Sequence, residues 1–96
     1  MSEREKLWDL INNLINGTYS PRSFCEEFTR IYEEEVDYNY LSYEEKENFA
    51  KMSEIVSRYT EDEGKLKLIN SYFDASDIIE NAREIKLNTL GVMEIF

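Results

Sequence analysis

Apolar residues recur at helical spacing in four separate segments of the chain. In the first two segments they are Leu7, Leu10, Ile11, Leu14 and Ile15, and then Phe24, Phe28, Ile31, Tyr32 and Val36. In the last two they are Phe49, Met52, Ile55, Val56 and Tyr59, and then Ile78, Ile79, Ala82, Ile85 and Leu90. Steps of three and four residues place such side chains on one face of an α-helix. The pattern therefore predicts four amphipathic helices, over residues 3–16, 21–36, 43–59 and 75–88.

Each predicted helix is preceded by a side chain that can cap its free amide groups: Ser2, Ser20, Ser42 and Asp74. A glutamate follows Ser2 and Ser42 at the third residue, which is the spacing of a capping box. Pro21 fits the first turn of the second helix, where its missing N–H costs nothing. Gly17 and Gly91 are predicted to end the first and fourth helices.

The connecting segments carry weaker signals. Residues 37–41 lack helical periodicity and are predicted to form a loop. The pattern also breaks over residues 60–73, where an extended connector and a short helical turn both remain open. Residues 91–96 form an apolar tail that either packs back or frays. We expect a single all-α domain over residues 1–96, folded as a compact antiparallel four-helix bundle.

The composition is that of a small folded domain. The 96 residues are 42% hydrophobic and 14% aromatic, which is too apolar for a disordered acidic tail. Cys25 is the single cysteine and cannot form an internal disulfide. The first residues are charged, and no apolar run is long enough to span a bilayer. We expect a soluble, cytoplasmic protein.

The net charge narrows the choice of partners. Eleven basic residues face 21 acidic ones, so the formal charge is −10, and there is no histidine. A chain with this excess of carboxylates repels phosphate backbones and anionic membranes and attracts cationic surfaces. We expect a basic protein as partner, with no direct contact to nucleic acid or membrane.

The residue inventory excludes most catalytic sites. Without histidine there is no Ser–His or Cys–His nucleophile and no imidazole zinc ligand, and one cysteine cannot build a thiolate metal site. Three glycines leave no phosphate-binding loop. Residues 37–45 lack the central glycine of a calcium-binding EF-hand loop. Paired carboxylates occur without sign of an apolar pocket that would raise one pKa. We therefore predict a protein that is not an enzyme and binds neither cofactor nor metal.

The acidic residues are concentrated in one stretch. Residues 26–47 hold nine acidic residues against Arg30 and Lys46, a local net charge of −7. Three carboxylates stand near the start of the third helix, where the helix dipole favours negative charge: Glu44, Glu45 and Glu47. We interpret them as a solvated face of that helix. Glu26 is interpreted in the same way, because it can pair with Arg30 four residues ahead. Residues 33–35 instead fall at the negative end of the second helix, at a cost of about 0.3–1 kcal/mol each.

Two readings remain open for the end of the second helix and the tyrosines that follow it. Glu33, Glu34, Glu35 and Asp37 serve either an interaction site or solubility alone. Tyr38, Tyr40 and Tyr43 either pack on the end of the bundle or form hot spots for a partner rich in arginine and lysine. The candidate binding residues are Glu33, Glu34, Glu35, Asp37, Tyr38, Tyr40, Glu44, Glu45, Glu61, Asp62 and Glu63.

The last three candidates form a second, shorter acidic cluster. Residues 61–63 follow the third helix and lie at the opposite end of an antiparallel bundle from residues 33–47, so one compact partner does not readily cover both. The cluster is also explained as a plain turn. The aromatic residues at core spacing are predicted to be buried: Trp8, Phe24, Phe28, Phe49 and Tyr59. Cys25 is expected to be an inert small side chain.

The order of these features resembles the colicin D immunity protein family, among the immunity proteins of bacterial contact-dependent growth inhibition. The resemblance covers residues 7–90 and is carried by Ser20-Pro21-Arg22-Ser23-Phe24-Cys25-Glu26-Glu27-Phe28, by Ser57-Arg58-Tyr59 with the acidic turn after it, and by the helix led by Asp74 to Ile79. It implies a small four-helix bundle in the cytoplasm of the producing cell. It also implies binding to the cationic nuclease domain of a toxin that cleaves tRNA, with carboxylates in the place of RNA phosphates.

The family's acidic positions at the end of the third helix correspond to Glu61, Asp62 and Glu63. Ser57 and Thr60 stand where the resemblance leads us to expect further carboxylates. This difference favours residues 33–45 as the binding surface. We expect an immunity protein that forms a 1:1 heterodimer with its toxin nuclease and is otherwise monomeric. The alternatives are an acidic helical adaptor or regulatory subunit for a basic protein and, from another class, a metal-dependent carboxylate enzyme.

Overall fold

The protein is mostly helical, and the predicted all-α class is confirmed. The computed structural model describes residues 2–68 and 72–94, with the backbone alone for residues 90–94. Five α-helices are present in this part of the chain: α1 (Glu3–Ile15), α2 (Pro21–Arg30), α3 (Tyr43–Val56), α4 (Glu63–Leu66) and α5 (Ala75–Glu94). One π-helical turn (Ile31–Glu35) continues α2, and one 3-10 turn (Tyr38–Tyr40) precedes α3.

The four predicted caps are all formed. The hydroxyls of Ser2, Ser20 and Ser42 accept hydrogen bonds from the amide three residues ahead, at 3.1–3.2 Å. Asp74 and Asp77 cap each other's amides, at 2.9 and 3.0 Å. Gly17 follows α1 with φ +80°, the left-handed conformation for which glycine is favoured.

Three helix boundaries differ from those predicted. The second helix does not continue as α-helix to residue 36, because its last turn is π-helical. α3 ends at Val56 rather than residue 59, and Tyr59 instead forms an isolated parallel bridge with Phe73. α5 continues through Gly91 to Glu94, so Gly91 does not end it, and residues 91–94 are helix rather than tail. Residues 95 and 96 of the predicted tail lie outside the described residues.

The core is apolar and joins four of the five helices. Phe24, Phe28 and Phe49 are fully buried, and α5 packs against both α1 and α3. Trp8 and Tyr59 are only partly buried and pack on the edge of this core. The predicted burial of the aromatic residues is therefore confirmed for the phenylalanines and partial for the other two.

The segment after α3 combines both alternatives left open by its sequence. The amide of Thr60 donates to the Phe73 carbonyl at 3.0 Å, and the Phe73 amide donates to the Arg58 carbonyl at 2.9 Å. These two bonds fasten the extended ends of the segment side by side, and α4 lies between them. Residues 69–71 of the segment lie outside the described residues. No helix in the described part of the chain is long and apolar enough to cross a membrane.

Candidate functional site

The π-turn at the end of α2 decides which of the three consecutive glutamates are paired. The Val36 amide donates to the Ile31 carbonyl at 2.8 Å, five residues back. Arg30 donates to Glu35 at 2.7 Å and to Glu27 at 2.7 Å. The predicted pairing of Arg30 with Glu26 is therefore wrong.

The free-energy cost expected for carboxylates at the negative end of this helix is therefore reduced. Glu35 is compensated by Arg30, so its position at the negative helix end is not unopposed. Glu33 and Glu34 are exposed, and neither makes an ion pair with any described residue. These two carboxylates remain available to a partner.

Tyrosines flank these carboxylates in different environments. The Tyr38 ring packs on Tyr32 with ring centroids 5.4 Å apart, and its hydroxyl donates to the Tyr32 carbonyl at 3.1 Å. Tyr32 in turn stacks on Phe28, with ring centroids 5.8 Å apart. Tyr40 is 78% exposed. Tyr38 is thus partly packed on the helix end, as one reading predicted, and Tyr40 presents its ring to solvent.

Glu45 does not belong to the candidate surface. Its side chain is 1% exposed, although the sequence placed it on a solvated face and among the binding residues. Arg4 donates through Nε to both of its carboxylate oxygens, at 2.7 and 2.9 Å, and Trp8 donates through Nε1 at 2.6 Å. The Ser42 amide donates a further bond at 2.9 Å, completing the capping box. Glu45 is therefore a structural residue that ties α1 to the start of α3.

The other polar side chains at the start of α3 stay at the surface. Tyr43 is exposed, and its hydroxyl donates to Glu47 at 2.8 Å, which raises the pKa of the phenol and keeps it a neutral donor. Glu44 is half-buried, and its backbone carbonyl accepts a bond from Asn48. Asp37 is exposed and accepts a bond from the Asn39 amide at 2.9 Å, which starts the 3-10 turn.

We name the resulting surface the acidic end. It comprises the exposed or half-buried side chains of Glu33, Glu34, Glu35, Asp37, Tyr38, Tyr40, Tyr43 and Glu44. A depression of about 320 Å³ opens beside it, lined by Ser2, Glu3, Arg4, Val36, Asp37 and Tyr40. The acidic end can offer carboxylates, phenol groups and this depression to one partner.

The second acidic cluster is distant from the acidic end. Glu61 lies 3.8 Å from Arg22 at the start of α2, whereas Glu33–Glu35 lie at its far end. Arg22 and Glu34 are 12 residues apart along α2 and the π-turn, which at about 1.5 Å per residue corresponds to about 18 Å. Asp62 is partly occupied, because it caps α4 through the Gly64 amide at 2.8 Å. Glu63 is exposed in the first turn of α4.

Cys25 is buried beside this second cluster. Burial, with a smaller contribution from the charge of Glu26, raises the pKa of its thiol to about 12. The thiolate form that nucleophilic or redox chemistry needs is therefore scarce at neutral pH. Within residues 2–68 and 72–94, no three acidic or thiol side chains are grouped to hold a metal ion.

The sequence alone did not predict the partners of two arginines near the acidic end. Arg4 carries no motif, and only its contact with Glu45, 41 residues away, shows what it does. For Arg30 the sequence suggested Glu26, four residues back on an α-helix, whereas its partners in the structure are Glu27 and Glu35.

Comparison of the chain with protein-family models, curated proteins and solved structures found no match.

Proposed function

We propose that this protein is an immunity protein that binds and neutralises a cognate bacterial toxin nuclease, a cationic RNase or tRNase domain. It acts by covering the nuclease with carboxylates that take the place of RNA phosphates, without catalysis, cofactor or metal. The observation that carries the proposal is the acidic end, where residues 33–44 carry exposed carboxylates and tyrosines between the end of α2 and the start of α3. The resemblance of the sequence to the colicin D immunity family supports the same role.

The charge of the acidic end suits a nuclease as partner. An RNase must attract polyanionic substrate, so its active site is cationic, and a carboxylate surface is complementary to it. Such complementarity accelerates association and makes it sensitive to salt. Tyrosines beside the carboxylates add the rigid aromatic contacts that dominate interface energies.

The anchoring of the surface supports the proposal as well. Tyr38 is held by its ring contact and hydroxyl bond to Tyr32, and Glu35 is held by Arg30. Groups that are already ordered lose less conformational entropy on binding. Glu33 and Glu34 are the exceptions, since they are exposed at the helix end and can adjust to the partner.

The proposal extends to the architecture and setting of the protein. We propose that α1, α2, α3 and α5 form an antiparallel four-helix bundle, which the packing of α5 on both α1 and α3 supports. The protein acts as a monomer in the cytoplasm, where it forms a 1:1 heterodimer with the nuclease domain of its toxin.

Co-expression tests the function directly. The chain is produced together with the nuclease domain encoded beside its gene, and growth and complex formation are measured. We expect the wild-type chain to restore growth and the double variant Glu33→Lys/Glu34→Lys to restore it poorly. The matched control is Glu80→Lys/Glu84→Lys, which changes the same charge at exposed positions of α5.

The control separates local from global charge. If both double variants protect as well as the wild type, electrostatic masking by the acidic end is wrong. If both lose protection equally, total charge rather than this surface is responsible. A tight complex with a basic protein that has no nuclease activity would identify an adaptor instead.

A further inference from the structure

A second concave surface lies away from the acidic end, between α2 and the residues that follow α3. We name it the α2–α3 groove, and its volume is about 570 Å³. Cys25 and Val56 form its apolar floor and are 9% and 6% exposed. Its walls include Arg22, Glu26, Tyr59 and Glu61. The groove is shallow and open to solvent, so an extended side chain can lie along it.

The electrostatics of the groove favour a cation. Glu26 and Glu61 both line it, and both are exposed at its rim. α3 ends at Val56, and its last carbonyl accepts a hydrogen bond from the Tyr59 amide at 3.2 Å, so the carboxylates supply the negative charge of the groove. The single basic residue in the lining is Arg22, which leaves an excess of negative charge.

The ion pair that Arg22 makes is loose. Its Nε lies 3.8 Å from the Glu61 carboxylate, and the two side chains are 71% and 59% exposed. Ion pairs of this kind contribute little to stability because water competes for both partners. Glu61 thus already accepts a guanidinium at its edge and can exchange it for another.

Tyr59 gives the groove a preference for a flat cation. Tyr59 lines the groove, and its hydroxyl donates to the Glu61 carboxylate at 3.2 Å. A guanidinium can stack on an aromatic ring while pairing with a carboxylate in the same plane, whereas an ammonium is a compact, strongly hydrated charge. The apolar floor can cover the methylene groups of an arginine stem.

We propose that the α2–α3 groove receives one arginine side chain from the basic partner of this protein. The identity of that partner rests on the proposed function, but the recognition of arginine rests on the groove alone. The groove would then form a second contact, about 18 Å from the acidic end, that fixes the orientation of the partner. This distance lies within an interface of standard size, about 800 Å² per partner, so one partner can cover both surfaces, contrary to the expectation from the sequence.

A titration of the free protein tests the groove. The probes are N-acetyl-arginine amide and N-acetyl-citrulline amide, which have nearly the same shape and differ in charge, and backbone amide shifts are followed by NMR. We expect saturable shifts with the arginine probe at residues 25, 26 and 59–61, with a dissociation constant in the millimolar range. We expect at least tenfold weaker binding of the citrulline probe.

Three variants sharpen the test, and all alter exposed side chains. Glu26→Gln/Glu61→Gln should weaken binding of the arginine probe at least tenfold, while the matched control Glu80→Gln/Glu84→Gln on α5 leaves it unchanged. Arg22→Gln should strengthen binding several-fold, because it removes the internal competitor. Equal shifts with both probes, or arginine-induced shifts spread over residues 33–47 as strongly as over the groove, would overturn the proposal.

The outcomes for the groove and for the proposed function are distinguishable. Arginine binding in the groove without protection from a toxin would refute the immunity role and leave the groove as a cation site. Protection by a chain whose groove fails the titration would refute the groove and leave the immunity role intact.

Discussion

At the scale of single residues, Glu45 shows how a charged side chain becomes part of the core. Its carboxylate is buried and receives hydrogen bonds from Arg4, Trp8 and the Ser42 amide. A buried charge is tolerated only when it is paired and its remaining hydrogen bonds are satisfied. Arg4 is 38% exposed, so one partner of the pair keeps contact with water. Glu45 therefore serves the orientation of α1 on α3 and is withdrawn from any partner surface.

Replacement of Glu45 tests this structural role. We expect Glu45→Gln to lower the free energy of unfolding by about 2 kcal/mol, because it removes the charge that satisfies Arg4 while keeping the size of the side chain. Urea unfolding followed by the fluorescence of Trp8, the single tryptophan, measures the effect. Glu44→Gln is the matched control and should change the stability by less than about 0.5 kcal/mol. An equal effect of both variants would contradict the role assigned to Glu45.

The pH dependence of stability provides a second test at the same residue. Burial alone raises the pKa of Glu45, but the bonds from Arg4, Ser42 and Trp8 outweigh it and hold the pKa below its usual range. A folded-state pKa below the unfolded one contributes stability above the unfolded value, which is lost as pH falls through the folded value. We expect the stability difference between wild type and Glu45→Gln to shrink below about pH 4. A difference that stays constant between neutral pH and pH 3 would show that the charge of Glu45 contributes nothing.

At the scale of elements, the π-turn decides what the end of α2 presents. At 3.6 residues per turn, an α-helix would place residue 34 over Arg30 and turn residue 35 about 140° away. The hydrogen bond from Val36 to Ile31 widens this turn, so Glu35 takes the place beside Arg30 and Glu34 is left free. π-turns of this kind are often found at functional sites. The register of one turn thus selects which carboxylates a partner can bind.

Double-mutant cycles test the register of the π-turn. We expect a favourable coupling between Arg30 and Glu35 that is larger than the coupling between Arg30 and Glu34, because only the first pair is in contact. The cycles use Arg30→Gln with Glu35→Gln or Glu34→Gln, measured by urea unfolding at low salt. The reverse order of couplings would mean that α2 continues as α-helix in solution.

At the scale of the whole molecule, charge and packing act against each other. A net charge of −10 on 96 residues destabilises the compact state through repulsion between carboxylates. The apolar core and the packing of α5 across α1 and α3 oppose this repulsion. In a complex with a cationic partner the same carboxylates become favourable. The same carboxylates thus lower the stability of the free protein and strengthen its attraction to a cationic partner.

Salt should therefore have opposite effects on the free protein and on its complex. Between about 0.01 and 0.1 M NaCl the Debye length shortens from about 30 to about 10 Å, which screens repulsion and attraction alike. We expect the melting temperature of the free protein to rise, as measured by circular dichroism, and the association rate with the nuclease to fall, as measured by stopped flow. The Glu33→Gln/Glu34→Gln variant should show a smaller change in both. A complex that is indifferent to salt would contradict electrostatic masking.

Features that depend on neighbours three or four residues apart could be predicted from the sequence alone. The caps at Ser20, Ser42 and Asp74 and the left-handed Gly17 need only such neighbours, and so do the apolar faces of the helices. The exposure of residues 33 and 34 at the end of α2 was predictable for the same reason.

The roles of the remaining polar residues depend on contacts between distant segments of the chain. Glu45 is buried rather than solvated because α1 brings Arg4 and Trp8 into contact with it, from 41 and 37 residues away in the chain. α3 ends before residue 59, where the backbone of Phe73 instead pairs with that of Arg58 and Thr60. Glu61 lies near Arg22 because the start of α2 is close to the residues that follow α3. Hydrophobic spacing reports which face of a helix is apolar, but not which distant helix covers it. The burial and pairing of a charge depend on that distant contact, so they follow from the fold rather than from the local pattern.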